Sequence, residues 1–294
     1  MVPSLKKSLA LCSLTVIVLL SACSKNNDAT PANGQDPYGN PPVVTPPADN
    51  SSLALTTNAT FGSILTDANG KSLYAFTLDA NGTSACTGGC AVTWMPYYAE
   101  NETAPTGITA TDISTITRAD GKKQTVYKGW PLYYFSGDIN KTDVNGDGSG
   151  GTWFVAKPDY SVMLANNQLV GIDGQNYTGD EKPGTGVTQY LTDAAGRTLY
   201  AFAPDKFNLN TYTKADLSNN STWPIYESDI LNVPSVLKKD MMVQITSAGK
   251  KQLTYKGHPL YYFGPDAKRG DTKGVSVGAG LWPILTVNTI ALTP

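Results

Sequence analysis

The chain has 294 residues and a formal net charge of −2. Lysine and arginine are scattered and form no basic stripe, which argues against nucleic acid as a partner. Charged residues are only 16% of the chain, so the composition favours an exported β-rich protein over a cytosolic helical one.

The first residues carry the pattern of a bacterial lipoprotein signal peptide. Lys6 and Lys7 precede a short apolar run that ends in a Leu-Ser-Ala-Cys sequence at Cys23. The run is too short to span a bilayer as a mature helix, and a cysteine directly after small residues is typical of a lipobox. We therefore predict that residues 1–22 are a lipoprotein signal peptide and that Cys23 is the lipidation site. The alternative is an ordinary signal peptide in which Cys23 is incidental.

The next segment, residues 23–53, is predicted to be a disordered tether that begins at the lipidated cysteine. It is rich in Ser, Asn, Asp, Gly and Pro and has almost no large apolar side chain. Such a segment cannot bury enough surface to offset its ordering entropy, and its prolines favour extended conformations. The expected location is the bacterial cell envelope, lipid-anchored to a membrane and exposed outside the cytoplasm.

The rest of the chain repeats one short phrase. The pattern Leu-Tyr-x-Phe-x-x-Asp occurs four times, with starts 59, 67 and 61 residues apart. Self-similarity at a near-fixed period indicates a repeat architecture. The repeat-motif residues are Tyr74, Phe76, Asp79, Tyr133, Phe135, Asp138, Tyr200, Phe202, Asp205, Tyr261, Phe263 and Asp266.

Flanking sequence divides the four copies into two alternating types. Copies one and three (type A) follow an Asp-x-x-Gly hairpin signal, whereas copies two and four (type B) follow a Gly-Lys-Lys-Gln segment and a Tyr-Lys-Gly-x-Pro segment. The order A-B-A-B predicts a first repeat pair at residues 54–165 and a second repeat pair at residues 187–294. Residues 166–186, rich in Gly, Asp, Asn and Pro, are predicted to be a linker.

The predicted fold is all-β, with two tandem related antiparallel β domains that are each built from two repeats. Period two places Tyr74 and Phe76 on one face of a strand and Leu73 and Ala75 on the other, so both faces are expected to be covered. The alternative is one four-bladed, propeller-like array, for which a ~60-residue period is long. The expected core adds four tryptophans to the motif strands: Trp94, Trp153, Trp223 and Trp282.

Two readings of the motif aspartates are open. Asp79 follows its strand directly, so its carboxylate is expected to accept a hydrogen bond from a backbone N–H two residues on, in an Asx turn. In the second reading, the four aspartates and the aromatic rings line a shared site for a cation or a sugar.

Cys86 and Cys90 are separated by Thr-Gly-Gly, which is flexible enough to close a disulfide, and a disulfide is the default outside the cytoplasm. In the rival interpretation, two thiolates and the thioether of Met95 bind Cu(I). We predict no metal site, and Cys86, Cys90 and Met95 are the candidate ligands of this rival interpretation.

Catalytic and cofactor chemistry have little support. His258 is the single histidine, which excludes a zinc site with several histidine ligands and a histidine-based catalytic centre present in both repeat pairs. Asp143 to Gly148 resembles the start of a calcium loop, but the closing glutamate is missing. We predict no catalytic residues and no cofactor.

The motifs together resemble the bacterial secreted-repeat lipoproteins, a family of predicted lipoproteins with a Tyr-x-aromatic-x-x-Asp motif. Type A of that family has Cys-x-x-x-Cys-Ala before its Trp-Pro-Pro, and this chain differs in having Met95 in place of the first proline and in lacking both cysteines in the second repeat pair. The resemblance implies a lipoprotein and supplies no biochemical activity.

The predicted function is that of a membrane-anchored cell-envelope lipoprotein that acts as a non-enzymatic binding or structural module. Its expected partners are the membrane, through the lipid anchor, and an envelope protein or glycan, with no nucleic acid. The alternative is an extracytoplasmic redox or copper-handling protein that uses Cys86, Cys90 and Met95.

Overall fold

The computed structural model describes residues 52–100 and 102–294, all of which fall in one compact unit. The predicted signal peptide, the lipidation site at Cys23 and nearly all of the predicted tether lie outside the described residues. Within the described part of the chain, no helix is both long enough and apolar enough to cross a membrane.

The first repeat pair is built almost wholly from short strands. Among its described residues the one α-helix, α1, has four residues, Cys90–Thr93, and short 3-10 helices cover Ala110–Asp112 and Ser149–Gly151. Its strands are β1 (Leu53–Asn58), β2 (Gly62–Asp67), β3 (Tyr74–Phe76), β4 (Trp94–Pro96), β5 (Ile113–Thr117), β6 (Lys123–Tyr127), β7 (Trp130–Phe135) and β8 (Trp153–Val155).

The chain from residue 163 onward, which takes in the predicted linker and the second repeat pair, has fewer regular strands. They are β9 (Met163–Val170), β10 (Asn176–Tyr177), β11 (Val187–Thr192), β12 (Met242–Ser247), β13 (Lys250–Tyr255) and β14 (His258–Pro259). All pairings between the named strands are antiparallel, which confirms the predicted all-β fold. The described sheets contain two, three, three and six strands, so the four repeats do not form four equal blades.

The motif strands of the first repeat pair lie side by side. The six-stranded sheet has the order β5-β6-β7-β3-β8, with β4 also paired to β7. In this sheet Tyr74 is the register partner of Tyr133, so the type A and type B copies meet at equivalent residues. The Asn-Gly hairpin ahead of β3 forms as predicted, with Gly70 at φ +83° in the left-handed region that glycine tolerates best.

The second repeat pair keeps this register with fewer hydrogen bonds. Tyr200 bridges both Tyr261 and Ile284, as Tyr74 bridges both Tyr133 and Val155 in the first pair. Pro224 and Pro283 stand at the positions of Met95 and Phe154 and have no N–H to donate. The same arrangement is therefore left as isolated bridges instead of continuous strands.

The segment predicted to be a linker contains regular structure. β9 covers residues 163–170 and pairs with β11 from Val187↔Gln168 to Thr192↔Met163, while β10 adds to the other edge of β9. The β9–β11 pair stands where β1–β2 stands in the first repeat pair, ahead of the type A hairpin. Residues 171–186 are thus a long excursion within the first hairpin of the second repeat pair.

The two repeat pairs share part of their core. One cluster of buried residues combines Ala75, Trp130 and Phe154 of the first pair with the buried residues of the second pair, such as Tyr200 and Trp223. Two further clusters cover the opposite faces of the first sheet. Tyr74 belongs to one of these and Leu73 to the other, so both faces of the motif strand are covered as predicted.

Candidate functional site

The motif tyrosines and aspartates form reciprocal pairs. In the first repeat pair, the Tyr74 hydroxyl donates to Asp138 Oδ2 at 2.5 Å, and the Tyr133 hydroxyl donates to Asp79 Oδ2 at 2.7 Å. Each copy thus supplies the donor for the carboxylate of the other copy. The antiparallel register makes this possible, because it places the end of each motif strand beside the start of its partner.

The second repeat pair repeats the geometry. Tyr200 donates to Asp266 Oδ2 and Tyr261 donates to Asp205 Oδ2, both at 2.7 Å. All four aspartates are buried, with 7% or less of their surface exposed. The repeat motif therefore encodes two interlocked pairs, and the aspartates do not meet in one fourfold site.

The predicted Asx turn is wrong for these aspartates. The second carboxylate oxygen accepts a hydrogen bond from a backbone N–H six or seven residues on, so each aspartate holds a whole loop instead of one turn. Six residues separate the partners in type A and seven in type B. The donors are the N–H groups of Ala85 to Asp79, Asn145 to Asp138, Thr211 to Asp205 and Lys273 to Asp266.

Burial dominates the electrostatics of these carboxyl groups. Desolvation raises the pKa of Asp79 to about 7 and the pKa of Asp266 to about 6. It also raises the pKa values of Asp138 and Asp205 above their ordinary range. The tyrosine and backbone donors oppose this shift because they favour the charged form.

Two four-ring aromatic stacks lie beside the pairs. The first aromatic stack runs Phe76–Trp153–Trp94–Phe135, with centroid separations of 3.9, 3.9 and 4.4 Å. The second aromatic stack runs Phe202–Trp282–Trp223–Phe263, with separations of 4.6, 3.7 and 4.3 Å. The four tryptophans are buried as predicted. The inner ring faces cover one another, which leaves no gap for a sugar between them.

The type B loop closes over the rings at a glycine. A Cβ on Gly146 would lie 2.7 Å from Trp94, and one on Gly274 would lie 2.7 Å from Tyr200. The Gly146 N–H points at the Tyr74 hydroxyl, at 3.3 Å. This loop is the one that resembles a calcium site in sequence, but Asp147 Oδ1 accepts the Val155 N–H. Among the described residues, no three or more His, Cys, Asp or Glu side chains are grouped to hold a metal ion.

The cysteine pair is a disulfide, with the Cα atoms of Cys86 and Cys90 5.3 Å apart. Both cysteines pack with Trp94, whereas Met95 packs in the cluster on the opposite face of the sheet. Neighbouring residues of a strand point to opposite faces, so the structure does not bring the three proposed copper ligands together.

Tyr212 takes the place of Cys86 in the second repeat pair. It packs edge-on against Trp282, with ring centroids 4.6 Å apart. Sequence reasoning missed this replacement. The signal is the spacing, since Tyr212 follows Asp205 by the same seven residues that separate Cys86 from Asp79.

A second set of tyrosines, at the variable motif position, was also missed. Tyr134 donates to Asp67 Oδ2 at 3.0 Å, and Tyr262 donates to Asp193 Oδ2 at 2.8 Å. These aspartates open the type A hairpins. The type B strand thereby fixes the hairpin of its type A partner on the other face of the sheet.

Arg269 connects the two repeat pairs. From the second pair, its guanidinium donates to the carbonyls of Asp79, Ala80 and Lys128 in the first pair, at 3.3, 3.0 and 3.4 Å. The same group lies 4.4 Å from the ring centroid of Trp130. Desolvation by this burial lowers the pKa of Arg269 to about 10.

A groove runs along this junction and has two adjoining lobes of about 480 and 410 Å³. We call it the junction groove. Asp193, Ala195 and Arg269 line both lobes. The first lobe is also lined by Thr111, Asp112, Ser114, Lys128, Tyr226 and Tyr262, and the second by Arg197, Asp266 and Lys268. None of the groove cations was singled out from the sequence.

The fold and these sites define an all-β repeat protein. Residues 55–97, 114–157 and 242–286 match a family model described as a secreted repeat of unknown function. The chain carries this secreted repeat, and the family predicted from the motifs is thereby confirmed. The family implies a location outside the cytoplasm. The searches of curated proteins and of solved structures gave no match.

The third copy of the repeat lies outside the three matched segments. This copy contains Tyr200 and Asp205, and both residues have the same partners as their equivalents in the first repeat pair. The structure therefore assigns four copies where the family model matches three.

Proposed function

We propose that this protein is a lipid-anchored component of the bacterial cell envelope that acts as a non-enzymatic binding or structural module. The lipobox sequence at Cys23 supports the anchor, and the family of secreted repeats supports the location. The proline-rich segment that follows Cys23 suits a tether between a membrane and a folded body.

The state of the motif aspartates is the observation that carries the non-enzymatic assignment. Each has one oxygen bound by a tyrosine hydroxyl and the other bound by a backbone N–H, and each is buried. A general acid or base has to reach a substrate proton, and these carboxylates are turned toward their own fold. Their role in this proposal is to hold loops in place.

The anchor is tested by labelling with a radioactive fatty acid. We expect the full-length protein to incorporate label and the Cys23→Ala protein to incorporate none. Cys12→Ala is the matched control, because Cys12 lies within the predicted signal peptide and is expected to leave labelling unchanged. Equal labelling of the Cys23→Ala protein would overturn the anchor.

The binding role is tested with the same Cys23→Ala protein, which removes the contribution of the lipid. We expect this full-length protein to co-sediment with purified cell-envelope material and to release no product from it. Failure to co-sediment would overturn the binding role, and product formation proportional to protein concentration would overturn the non-enzymatic role.

A further inference from the structure

Arg197 in the junction groove is a guanidinium without an acceptor. Its Cζ lies over the ring of Tyr262, 4.0 Å from the ring centroid, and its Nε is buried without a hydrogen-bond partner. Among the described residues, no carboxylate lies within ion-pair distance of it. A guanidinium fixed by stacking is preorganised to accept an anion, because little side-chain entropy remains to be lost.

The first repeat pair shows what this position does when it is structural. Lys71 is the equivalent of Arg197, since each stands four residues after the hairpin aspartate. The Lys71 ammonium donates to the carbonyls of Asp138 and Ile139, at 2.8 and 2.7 Å. The cation at this position is thus hydrogen-bonded within its own fold in the first pair. In the second pair the Arg197 Nε has no hydrogen-bond acceptor.

The carboxylates around Arg197 are already engaged. Asp193 accepts two backbone N–H groups at Oδ1 and the Tyr262 hydroxyl at Oδ2. Asp266 is bound by Tyr200 and by the Lys273 N–H. Lys268, which is exposed, and Arg269 also line this lobe and have no carboxylate within ion-pair distance. The lobe therefore presents three cations whose charge its own carboxylates do not pair.

We propose that the junction groove binds a saccharide that carries a carboxylate, with Arg197 as the principal contact and Lys268 as a second. The planar guanidinium matches a carboxylate in a two-point hydrogen bond. The exposed hydroxyl residues Thr111 and Ser114 line the neighbouring lobe, where a sugar's hydroxyl groups would find partners. Each lobe has the volume of a small-ligand pocket. This inference rests on the proposed function and names the ligand class of that envelope-binding module.

The test is calorimetric titration of the full-length Cys23→Ala protein at low salt with tetragalacturonate, with neutral maltotetraose and with inorganic phosphate. We expect tetragalacturonate to bind, maltotetraose not to bind, and the tetragalacturonate affinity to fall as salt is added. Arg197→Ala should weaken tetragalacturonate binding at least about tenfold, since a charge-assisted pair is lost. Arg197→Lys should give an intermediate loss of tetragalacturonate affinity, because lysine keeps the positive charge but lacks the planar guanidinium.

Two surface variants keep the test decisive if Arg197→Ala does not fold. Lys268→Ala removes an exposed groove cation and should weaken binding roughly threefold, as for an exposed charge pair. Lys214→Ala removes an exposed cation that lines neither lobe and should change nothing.

Three results would overturn the inference. They are equal binding of tetragalacturonate and maltotetraose, equal loss in the Lys214→Ala and Lys268→Ala proteins, and binding of phosphate without any binding of tetragalacturonate. If the acidic saccharide does not bind but envelope material still co-sediments, the groove assignment fails and the proposed function stands. If envelope material does not co-sediment, the proposed function itself fails.

Discussion

Tyr74 lies directly opposite Tyr133 where β3 pairs with β7, and each hydroxyl donates to the aspartate that follows the other's strand. Neither copy of the repeat supplies the hydroxyl donor for its own buried carboxylate. The type A and type B copies are therefore halves of one folding unit. This dependence gives a physical reason for the A-B-A-B order, since an unpaired copy would bury an aspartate without its donor.

Removing one of these donors should destabilise the protein. Tyr133→Phe deletes the hydroxyl that binds Asp79 and keeps the ring against Trp153. We expect a loss of about 1–3 kcal/mol in the free energy of unfolding, because a buried acceptor loses its partner. Urea denaturation measures the loss. Tyr98→Phe, at a half-buried tyrosine, is the control, and equal effects of the two variants would contradict the interlocked-pair model.

The raised pKa of Asp79 predicts the direction of the pH dependence. The native carboxyl group, with a pKa of about 7, binds a proton more readily than the unfolded one, whose pKa is near 3.8. Its stabilising contribution is therefore complete below about pH 4 and is lost as the pH rises through about 7. Asp266 acts in the same direction, with a folded pKa of about 6.

We therefore expect the free energy of unfolding to be lower at pH 8 than at pH 5 by an amount on the order of 2 kcal/mol. Asp79→Asn cannot titrate and should make this decrease smaller, whereas Asp240→Asn, at an exposed position, should leave it unchanged. A decrease of the same size in Asp79→Asn and in the wild type would show that Asp79 is not its source.

Arg269 should control the cooperativity of unfolding. Arg269→Ala removes three hydrogen bonds to carbonyls of the first repeat pair and the contact with Trp130. We expect one calorimetric transition in the wild type and two in the variant, with a loss of about 2–4 kcal/mol from the charged hydrogen bonds and the cation–π contact. Lys268→Ala, at the adjacent exposed residue, should unfold as the wild type does. A single unshifted transition in Arg269→Ala would disprove the link.

The disulfide should stabilise only modestly. It closes a loop of five residues between Cys86 and Cys90, so the loop-entropy model predicts about 2 kcal/mol. The double variant Cys86→Ala and Cys90→Ala should lower the free energy of unfolding by that amount and keep the fold. The second repeat pair, with Tyr212 in place of Cys86, already folds without it. Complete loss of folded protein in the double variant would refute this estimate.

Glu181 should hold the excursion at residues 171–186 in place. Its carboxylate accepts the Ile284 N–H at 2.9 Å, as Asp147 accepts the equivalent Val155 N–H in the first repeat pair. In Glu181→Ala we expect faster hydrogen exchange at Ile284 and through the excursion. Glu181→Gln keeps an acceptor oxygen and Asp180→Ala changes an exposed neighbour, so both should exchange as the wild type does. Unchanged exchange in Glu181→Ala would rule out this role.

The sequence predicted the local features well. Period two in Leu73 to Phe76 predicted a strand covered on both faces, and the Asn-Gly dipeptide before it predicted the hairpin, because both depend on residues that are close in the chain. The alternation of type A and type B copies could be recognised from the sequence for the same reason. It identified the third copy at Leu199 to Asp205, which the family model does not match.

The misjudged features all depend on distant partners. The aspartate was read as a turn residue because its true donors, a tyrosine more than 50 residues away and an N–H six or seven residues on, leave no local pattern. The predicted linker contains β9, whose pairing with β11 closes over a 16-residue excursion. Turn composition at residues 171–186 does not reveal that its two ends meet.

By itself, the sequence determined the four repeats, their two types and the family, because each depends on contiguous residues. Only the tertiary structure decided what those residues do. It paired the tyrosines with the aspartates, stacked the tryptophans, placed Arg269 across the junction and left Arg197 without an acceptor. Hydrogen bonds and ring contacts act over a few ångströms, and folding alone brings residues separated by 50 to 190 positions to that distance.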